Sequence, residues 1–572
     1  MRLPIEKDGK KNENKIVEID IFSINHLPIV KEFAQRIGLV EVVNQFVPSQ
    51  MDVEPGIMVL GLVLDTLSGR TPLYRLPTFF QDHDAELLLG KEISPGVFAD
   101  HNVGRLMDKI YEAGSLRLFS EIARRAVVFF GVNTRHVSFD TTSISVFGEY
   151  DLCSKDASNP PFVIDHGHSK DRRPDLKQFL ISMLCVDRNI PIFGKPEDGN
   201  GSDKRINNET LSMVSKHMAT HGLNPGAFIY IADSALITEA NLVKMGDDIQ
   251  FISRLPATYN ECGRAIKEAI DKDDWEDAGV LAITEPTAKR PAAFYKTYET
   301  EVVLYGRKYR AVVVHSSSHD KRRQKKIERE LKKERKQLER KVKEALKTEY
   351  FCQADAMQAL GELKRNNGIY HRLQAETVER PKYKRGRPKA GKAPEVKEMR
   401  YGINAVVEED KESVQMLREE SGCFVLISNV PETFGGETYD GKTILSAYKD
   451  QHGIEQNFGF LKDPVIVNSI FLEKAERIEV LGLIFLLALL IWRLIEHSMR
   501  NYIEKTGEDL PGWEKRRTKR PTSFMLKTKF SGIYVAKIGR ERKLSKPLNS
   551  EQLEYLKALG IDPLVFIDPR PG

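Results

Sequence analysis

The spacing of hydrophobic residues divides the chain into a helical first part and a strand-rich second part. Between residues 24 and 130, apolar residues recur mostly at three- and four-residue steps, which predicts a helical unit. From residue 131 onwards, short apolar runs predict strands separated by two amphipathic helices. The predicted strands are 135–140, 177–186, 190–195, 227–233 and 249–254, and the predicted helices are 207–221 and 235–246. The order β-β-β-α-β-α-β indicates an α/β fold.

Residues 256–440 interrupt this pattern with short strands and one long charged helix predicted at 319–350. Two interpretations of that helix are open: a helical hairpin or coiled-coil strut with a solvated basic face, or a helix that contacts DNA phosphates. Beyond the interruption, a helix is predicted at 443–462, ended by Pro464, and a buried helix at 474–499. The charged helix carries a heptad-like apolar stripe formed by Ile327, Leu331, Leu338, Val342 and Ala345.

Positive charge is concentrated in three short stretches. The 572-residue chain has 87 basic and 82 acidic residues, a net charge of +5. Residues 321–347 carry 14 basic and 5 acidic side chains, residues 382–392 carry six basic and none acidic, and residues 514–546 carry 12 basic and two acidic. Basic charge confined to defined places indicates contacts with a polyanion.

Composition favours a folded protein of a reducing compartment. Hydrophobic residues make up 41% of the chain, too many for a mainly disordered protein. The five cysteines are scattered without a C-x-x-C pair, which disfavours a zinc site or a disulfide framework. The N-terminus lacks an apolar signal segment, and the longest apolar run, Val480 to Trp492, has 13 residues and is typical of a buried helix. We therefore expect a soluble cytoplasmic protein that does not associate with membranes.

Two predicted strands end in an aspartate, Asp140 and Asp233. At the carboxyl ends of strands in an α/β sheet, side chains leave the ladder and reach a crevice. If the two strands are parallel neighbours, their carboxylates lie side by side and repel each other unless a cation lies between them. Mg²⁺ suits such a position because it prefers carboxylate oxygens. The alternative is that each aspartate is an ordinary helix N-cap or turn residue.

The helix predicted at 443–462 carries a polar face. Tyr448, Gln451, Glu455 and Lys462 stand at offsets that place all four within a wedge of roughly 60° on a continuous helix. This face either belongs to a site shared with the two aspartates or is a solvated surface.

These motifs resemble those of bacterial insertion-sequence transposases of the DDE class, in particular the insertion-sequence family 4 superfamily and its 1634-type branch. That superfamily has Tyr-x2-Arg-x3-Glu-x6-Lys around its third acid, and this chain has the same spacing from Tyr448 to Lys462 with Gln451 in place of the arginine. The stretches HGHSKDRRPDLKQ (166–178) and ADSALITEANL (232–242) also resemble the 1634-type branch.

The resemblance implies a ribonuclease H-like catalytic core with a mixed α+β insertion domain, preceded by a helical N-terminal domain. The implied layout is a DNA-binding or dimerisation domain at 1–130, core at 131–255, insertion domain at 256–440, core at 441–500 and a basic C-terminal region at 501–572. The strand order and the interruption predicted above agree with this layout.

The resemblance further implies catalysis by Asp140, Asp233 and Glu455 with two Mg²⁺ ions, for which Mn²⁺ can substitute. Asp140 is expected to bridge both ions, while Asp233 and Glu455 each complete one. Water would attack at the transposon end and free a 3′-OH, which would then attack target DNA. We therefore expect a bacterial, nucleoid-associated transposase that acts on double-stranded DNA. Bringing two ends together calls for at least a homodimer.

DNA contacts are expected around the implied site. Tyr448 and Lys462 match the family's contacts to the DNA end, whereas Gln451 can hydrogen-bond there but supplies no charge. His166 and His168 form an H-x-H without a further ligand at suitable spacing, so DNA contacts explain this segment better than a metal site. The basic residues expected to approach phosphates here are Lys170, Arg172, Arg173 and Lys177.

Two further DNA contacts are expected in the insertion domain. Arg385 and Arg387 belong to an Arg-Gly-Arg-Pro sequence similar to an AT-hook core, which can enter a narrow A·T-rich minor groove. A basic disordered linker is the alternative. In relatives with such an insertion a tryptophan can stack on a displaced base, and Trp275 is the candidate here, against a simple core or surface tryptophan. The basic segment 514–546 is expected to track DNA of the partner end.

Two other functions stay open on the sequence alone. A metal-dependent DNA nuclease would use the same acids without strand transfer. A DNA-binding architectural protein would have lost catalysis, although the intact set of Asp140, Asp233 and Glu455 argues against this reading.

Overall fold

The computed structural model describes residues 19–150, 153, 160–170, 173–201, 203–222, 226–281, 291–365, 368–385, 393–463 and 472–569. The chain divides into two compact units. Unit 1 contains the described residues up to Ser253, residues 433–436 and those from Ala447 onwards, and unit 2 contains residues 254–432 and 437–446. Both units combine helices and strands, which confirms the coarse prediction of a mixed α/β fold.

The first part of unit 1 is helical, as predicted for residues 24–130. Helix α3 begins at Pro55, where proline is tolerated because the first-turn N–H has no partner within the helix, and it is buried from Pro55 to Leu67. The elements are β1 (Ile19–Ser23), α1 (Leu27–Arg36), α2 (Leu39–Phe46), α3 (Pro55–Ser68), α4 (Leu76–Asp82), α5 (Ala85–Leu89), α6 (Asp100–Ala113) and α7 (Ser115–Phe130).

A mixed sheet follows in unit 1, in the predicted order β-β-β-α-β-α-β. Its elements are β2 (His136–Val146), β3 (Lys177–Val186), β4 (Ile190–Glu197), α8 (Asp203–Thr220), β5 (Ile229–Ala232), α9 (Glu239–Met245) and β6 (Gln250–Arg254). The spatial order is β4-β3-β2-β5-β6. Strand β3 is antiparallel to both β2 and β4, whereas β5 is parallel to both β2 and β6.

Unit 2 combines an antiparallel sheet with the long charged helix. Its elements include α10 (Asn260–Lys272), β7 (Glu276–Val280), β8 (Phe294–Leu304), β9 (Arg307–Ser316), α11 (Ser317–Lys347), α12 (Gln353–Arg365), β10 (His371–Tyr383), β11 (Val396–Glu409), α13 (Lys411–Ser421) and β12 (Cys423–Ser428). The spatial order is β12-β9-β8-β7, and β10 and β11 form a separate hairpin. The predicted stripe on α11 is used for packing, because Leu338 and Val342 contact the cluster around Ile403 while Ile327 and Leu331 pack on Val414.

The last part of the chain is folded throughout its described length, including the basic segment 514–546. The elements are β13 (Thr433–Phe434), β14 (Glu437–Thr438), α14 (Gly441–Asp450), α15 (His452–Leu461), α16 (Ala475–Thr506), β15 (Leu510–Pro511), β16 (Arg517–Thr518), α17 (Ser523–Lys529), β17 (Tyr534–Ile538), β18 (Glu541–Leu544) and α18 (Ser550–Leu559). Strand β17 pairs with β1 on one side and with β18 on the other.

Helix α16 forms the apolar centre of unit 1. It is longer than the predicted 474–499, and it packs against β4, α3, α6 and α7. A helix that is apolar on every side is buried in a core or spans a membrane. By length and composition α16 could cross a membrane, yet 89% of its most apolar window is buried inside the protein.

The prediction of one continuous helix over 443–462 is wrong. The helix is divided at Gln451, where backbone hydrogen bonds from Gln451 N to Tyr448 O (3.4 Å) and from Ile454 N to Gln451 O (3.0 Å) span three residues instead of four. The next turn packs closely on β3–β4: a Cβ at Gly453 would lie 2.3 Å from the Arg188 carbonyl oxygen. The 60° wedge therefore does not hold across the break.

Candidate functional site

The prediction that a strand ends at Asp140 is wrong, because β2 continues to Val146 in its pairing with β3 and Asp140 lies within it. The Asp140 carboxylate is near a lysine. The side chain is 27% exposed, and its Oδ1 accepts a hydrogen bond of 2.7 Å from the Thr141 N–H. Lys170 Nζ lies 3.6 Å from the same oxygen, held by hydrogen bonds to Thr141 O (2.6 Å) and Thr141 Oγ1 (2.9 Å). Lys170 was predicted to approach DNA phosphate, and here its ammonium neutralises Asp140.

Asp233 follows β5 and lies level with Asp140. Strands β2 and β5 are parallel neighbours with Ser138 opposite Ile231, and the same register continued by two residues pairs Asp140 with Asp233. Neighbouring strands lie about 4.8 Å apart, so the two residues lie side by side, at the point where β5 ends and β2 continues. The Asp233 carboxylate also caps the short turn that follows, accepting a 3.0 Å bond from Ala235 N, and Ser253 Oγ donates to its backbone carbonyl (2.8 Å).

The pKa of Tyr230 is affected by both aspartates. It is fully buried on β5, and burial is the main reason that the pKa of its phenol is raised well above the ordinary value. The charges of Asp233 and then Asp140 raise that pKa further. Both carboxylates therefore lie near enough to this phenol to act on its charge.

Helix α15 brings Glu455 to the same side of the sheet. Gln451, which precedes α15, has its Nε2 3.5 Å from the carbonyl oxygen of Phe139, the residue before Asp140. The Glu455 carboxylate is 66% exposed and is bonded to His452 Nδ1 at 2.7 Å. The element that carries the third acid therefore packs beside β2, while the carboxylate itself is held by its own helix.

The donor set fits a hard divalent cation only in part. Asp140 and Asp233 supply the carboxylate oxygens that Mg²⁺ prefers. Within the described ranges, however, no three His, Cys, Asp or Glu side chains come together as a metal-binding group. Completing such a group would require Glu455 to leave His452 and Lys170 to leave Asp140.

The other predicted residues of unit 1 differ in their exposure and in the partners that they contact. Tyr448 is half-buried on α14, and Lys462 follows the last residue of α15. Arg173 is exposed and makes a bidentate ion pair with Asp175, with Nη2 2.7 Å from Oδ2. Lys177 begins β3, and its ammonium bonds the Glu149 carbonyl and carboxylate. Arg172 lies outside the described residues.

Two predicted DNA contacts belong to unit 2. Trp275 is half-buried and makes edge contacts with Tyr298 (6.3 Å between ring centroids) and His315 (6.2 Å). Arg385 is exposed at the end of the β10 segment. Arg387 and the rest of the Arg-Gly-Arg-Pro sequence lie outside the part of the chain that the structure describes.

A buried polar chain beneath α15 was missed by the sequence analysis. Asn457 Nδ2 donates to Asn189 O (2.8 Å), and Asn457 Oδ1 accepts from Arg493 Nε (2.7 Å). Arg493 Nη1 in turn bonds Glu496 Oε2 at 2.7 Å. An arginine inside an otherwise apolar helix is the available sequence signal, because a buried charge must be paired. These hydrogen bonds fix the inner face of α15, the helix that carries Glu455.

Comparison with known proteins identifies one stretch of the chain. A family model described as a domain of unknown function (DUF4277) matches residues 19–124, which run from β1 into α7. No curated protein matches the chain.

Proposed function

We propose that the protein is a DDE transposase, which cleaves the ends of its insertion sequence and joins the freed 3′-OH to target DNA. The observation that carries the proposal is the shared register of Asp140 and Asp233 on parallel neighbours, with the Glu455 helix packed beside β2. Two acids thereby lie level on neighbouring strands, and the helix that carries the third packs beside one of those strands. An ordinary N-cap role for each aspartate gives no reason for this convergence.

The finer fold assignment is part of the same proposal. A ribonuclease H-like core is supported by the order β4-β3-β2-β5-β6, in which the first three strands are antiparallel and the last two are parallel to β2. Unit 2 enters the sequence between β6 and the Glu455 helix, which agrees with an insertion domain.

The chain's own residues would perform distinct tasks. Asp140 and Asp233 would hold Mg²⁺, with Glu455 joining after it leaves His452. When bound, the ions would activate the attacking oxygen and stabilise the leaving oxygen at phosphorus. Lys170 balances the charge of Asp140 and, if a cation displaced it, would be able to pair with a phosphate. Tyr448 and Lys462 flank α15 and would contact the DNA end.

The experiment compares Asp140→Asn and Asp233→Asn with Asp247→Asn, an exposed aspartate in the turn after α9. The substrate is DNA carrying the inverted repeats that should flank the gene, incubated with Mg²⁺. Loss of a metal ligand should cost more than the 10- to 100-fold typical of a residue that only supports a ligand, so we expect a loss above about 100-fold for the first two variants and none for the third.

The same experiment separates the rival functions. DNA binding should survive in Asp140→Asn, because phosphate contacts do not depend on that carboxylate. Supplying pre-cleaved ends tests joining alone: cleavage without joining would identify a nuclease. A fully active Asp140→Asn variant would overturn the proposed site.

A further inference from the structure

Three arginines from distant parts of unit 1 meet at one corner, here called the arginine corner: Arg188, Arg500 and Arg520. Arg188 lies in the β3–β4 turn in a left-handed conformation (φ 72°). The preceding residue, Asp187, holds that turn against α16 through a 3.1 Å contact with His497 Nδ1. The turn thus lies within one helical turn of Arg500 on α16.

The segment before α17 reaches the same turn of α16. Ser523 N donates to Glu496 Oε1 (3.1 Å), and Ser523 Oγ donates to Trp492 O (2.6 Å). Arg500 Nη2 lies 3.4 Å from the other carboxylate oxygen of Glu496. Arg520 precedes Ser523 by three residues and is exposed. Glu496 therefore anchors both the helix and the segment that carry these arginines.

Nearby carboxylates neutralise this positive charge only in part. Glu496 is bonded most closely by Arg493, at 2.7 Å, which leaves Arg500 the longer contact. Arg500 Nε is buried and has no hydrogen-bond partner among the described atoms. Arg188 Nε lies 3.4 Å from Asp450 Oδ1, and its side chain remains 47% exposed.

Burial and then mutual repulsion between the guanidinium groups lower the pKa of arginines in the corner. Burial lowers the pKa of Arg520, and the guanidinium groups of Arg188 and Arg500 lower it further, against one opposing carboxylate, Asp450. Burial likewise lowers the pKa of Arg500, with Arg493 and Arg188 adding to the effect while Glu496 and Asp187 oppose it. Like charges held this close favour an anion that accepts hydrogen bonds from several guanidinium forks.

The corner borders the carboxylate site. The Arg188 carbonyl packs on Gly453 in the first turn of α15, and Asp450 immediately precedes Gln451. Gln451 in turn reaches the backbone beside Asp140. The arginine corner therefore lies next to the first turn of α15. An extended polyanion bound across the carboxylate site would pass close to it.

We propose that Arg188, Arg500 and Arg520 form a binding site for backbone phosphates of duplex DNA. The inference rests on the proposed function and deepens it by naming where the DNA beside the cleaved strand is held. The site would read no sequence, because guanidinium contacts to phosphate carry none.

The test measures binding of a short fluorescent duplex of arbitrary sequence over a series of salt concentrations, in EDTA so that no cleavage occurs. The variant is Arg188→Gln/Arg520→Gln, and the control is Lys91→Gln/Lys216→Gln, which removes the same charge from exposed positions elsewhere in unit 1. Each phosphate contact contributes roughly 0.9 to the log–log salt slope, so the variant should flatten the slope by about 1.8 relative to wild type. The control should leave it unchanged.

A second variant separates charge from folding. Arg188→Lys/Arg520→Lys keeps both charges and should restore most of the slope, whereas a misfolded corner would not be rescued. An unchanged slope in the glutamine variant, with wild-type protein that binds and cleaves DNA, would overturn this inference alone. Wild-type protein that neither binds nor cleaves DNA would overturn the proposed function together with it.

Discussion

At the scale of single residues, the buried arginine of α16 matters more for the stability of the fold than the exposed ion pairs do. Arg493 is 6% exposed and Glu496 is 3% exposed, and Arg493 bonds both Glu496 and Asn457. A buried charge without its partner keeps the full cost of leaving water. An exposed pair gains little because water competes for both groups.

We expect Arg493→Met to lower the free energy of unfolding by about 3–5 kcal/mol, because Glu496 loses its closest partner while it stays buried. Urea unfolding followed by circular dichroism measures the change. The matched control is Arg335→Met on α11, whose 2.9 Å pair with Glu339 is more than half exposed. That variant should change stability by less than about 1 kcal/mol. Equal effects of both substitutions would contradict the role given to Arg493.

At the scale of elements, the position of α15 depends on one glycine. A Cβ at Gly453 would lie 2.3 Å from the Arg188 carbonyl oxygen, a backbone atom that cannot move without moving the β3–β4 turn. At Gly459, on the same helix, the added Cβ would have no described atom within 4 Å apart from its chain neighbours and the nearby backbone of its own helix. Alanine substitutions at the two glycines therefore distinguish the effect of close packing from the effect of helix propensity within one helix.

We expect Gly453→Ala to displace α15 and to reduce both the thermal stability and the Mg²⁺-dependent DNA cleavage that we propose. Gly459→Ala should instead stabilise by up to about 1 kcal/mol, since alanine is the better helix former, and should leave cleavage unchanged. Differential scanning fluorimetry and the cleavage assay report the two effects. If Gly453→Ala matched Gly459→Ala in both measurements, the contact with Arg188 would not fix the helix.

The sequence predicts the elements of the core better than the contacts between them. The strand at 177–186 is observed at Lys177–Val186, because a short apolar run between polar residues favours a buried strand. The break at Gln451 was not predictable, since it coincides with packing against Arg188 rather than with a proline. The sequence shows that Asp140 and Asp233 each follow an apolar run. The contact of Lys170 with Asp140 could not be predicted, because it depends on a loop whose path has no periodic signal in the sequence.

At the scale of the whole molecule, several buried ionisable groups contribute to the pH dependence of stability, and their contributions have opposite signs. Burial lowers the pKa of His26 to about 3, with the Lys527 ammonium adding to the effect, and lowers those of His217 and His221 to about 4. The unfolded chain then binds more protons than the folded protein below the ordinary histidine pKa of 6.5, so stability falls as the pH drops through that value. Burial raises the pKa of Asp65 to about 6, and this carboxyl opposes the histidines because it favours the folded state at low pH.

His26 allows one histidine contribution to be isolated. It is 2% exposed and meets Trp492 edge-on at 6.1 Å between ring centroids, so His26→Phe keeps an aromatic ring in the same place without a titrating group. Between pH 7 and pH 5 the wild type should lose about 2 kcal/mol more stability than this variant, because each pKa unit corresponds to 1.36 kcal/mol. Urea unfolding at several pH values measures how steeply the free energy of unfolding changes with pH in each protein. A packing change caused by the substitution shifts this free energy equally at every pH and so leaves the slope unchanged. His101→Phe, at an exposed position on α6, should keep the wild-type slope. A His26→Phe variant with the wild-type slope would mean that burial does not change the pKa of the imidazole between the unfolded and the folded protein.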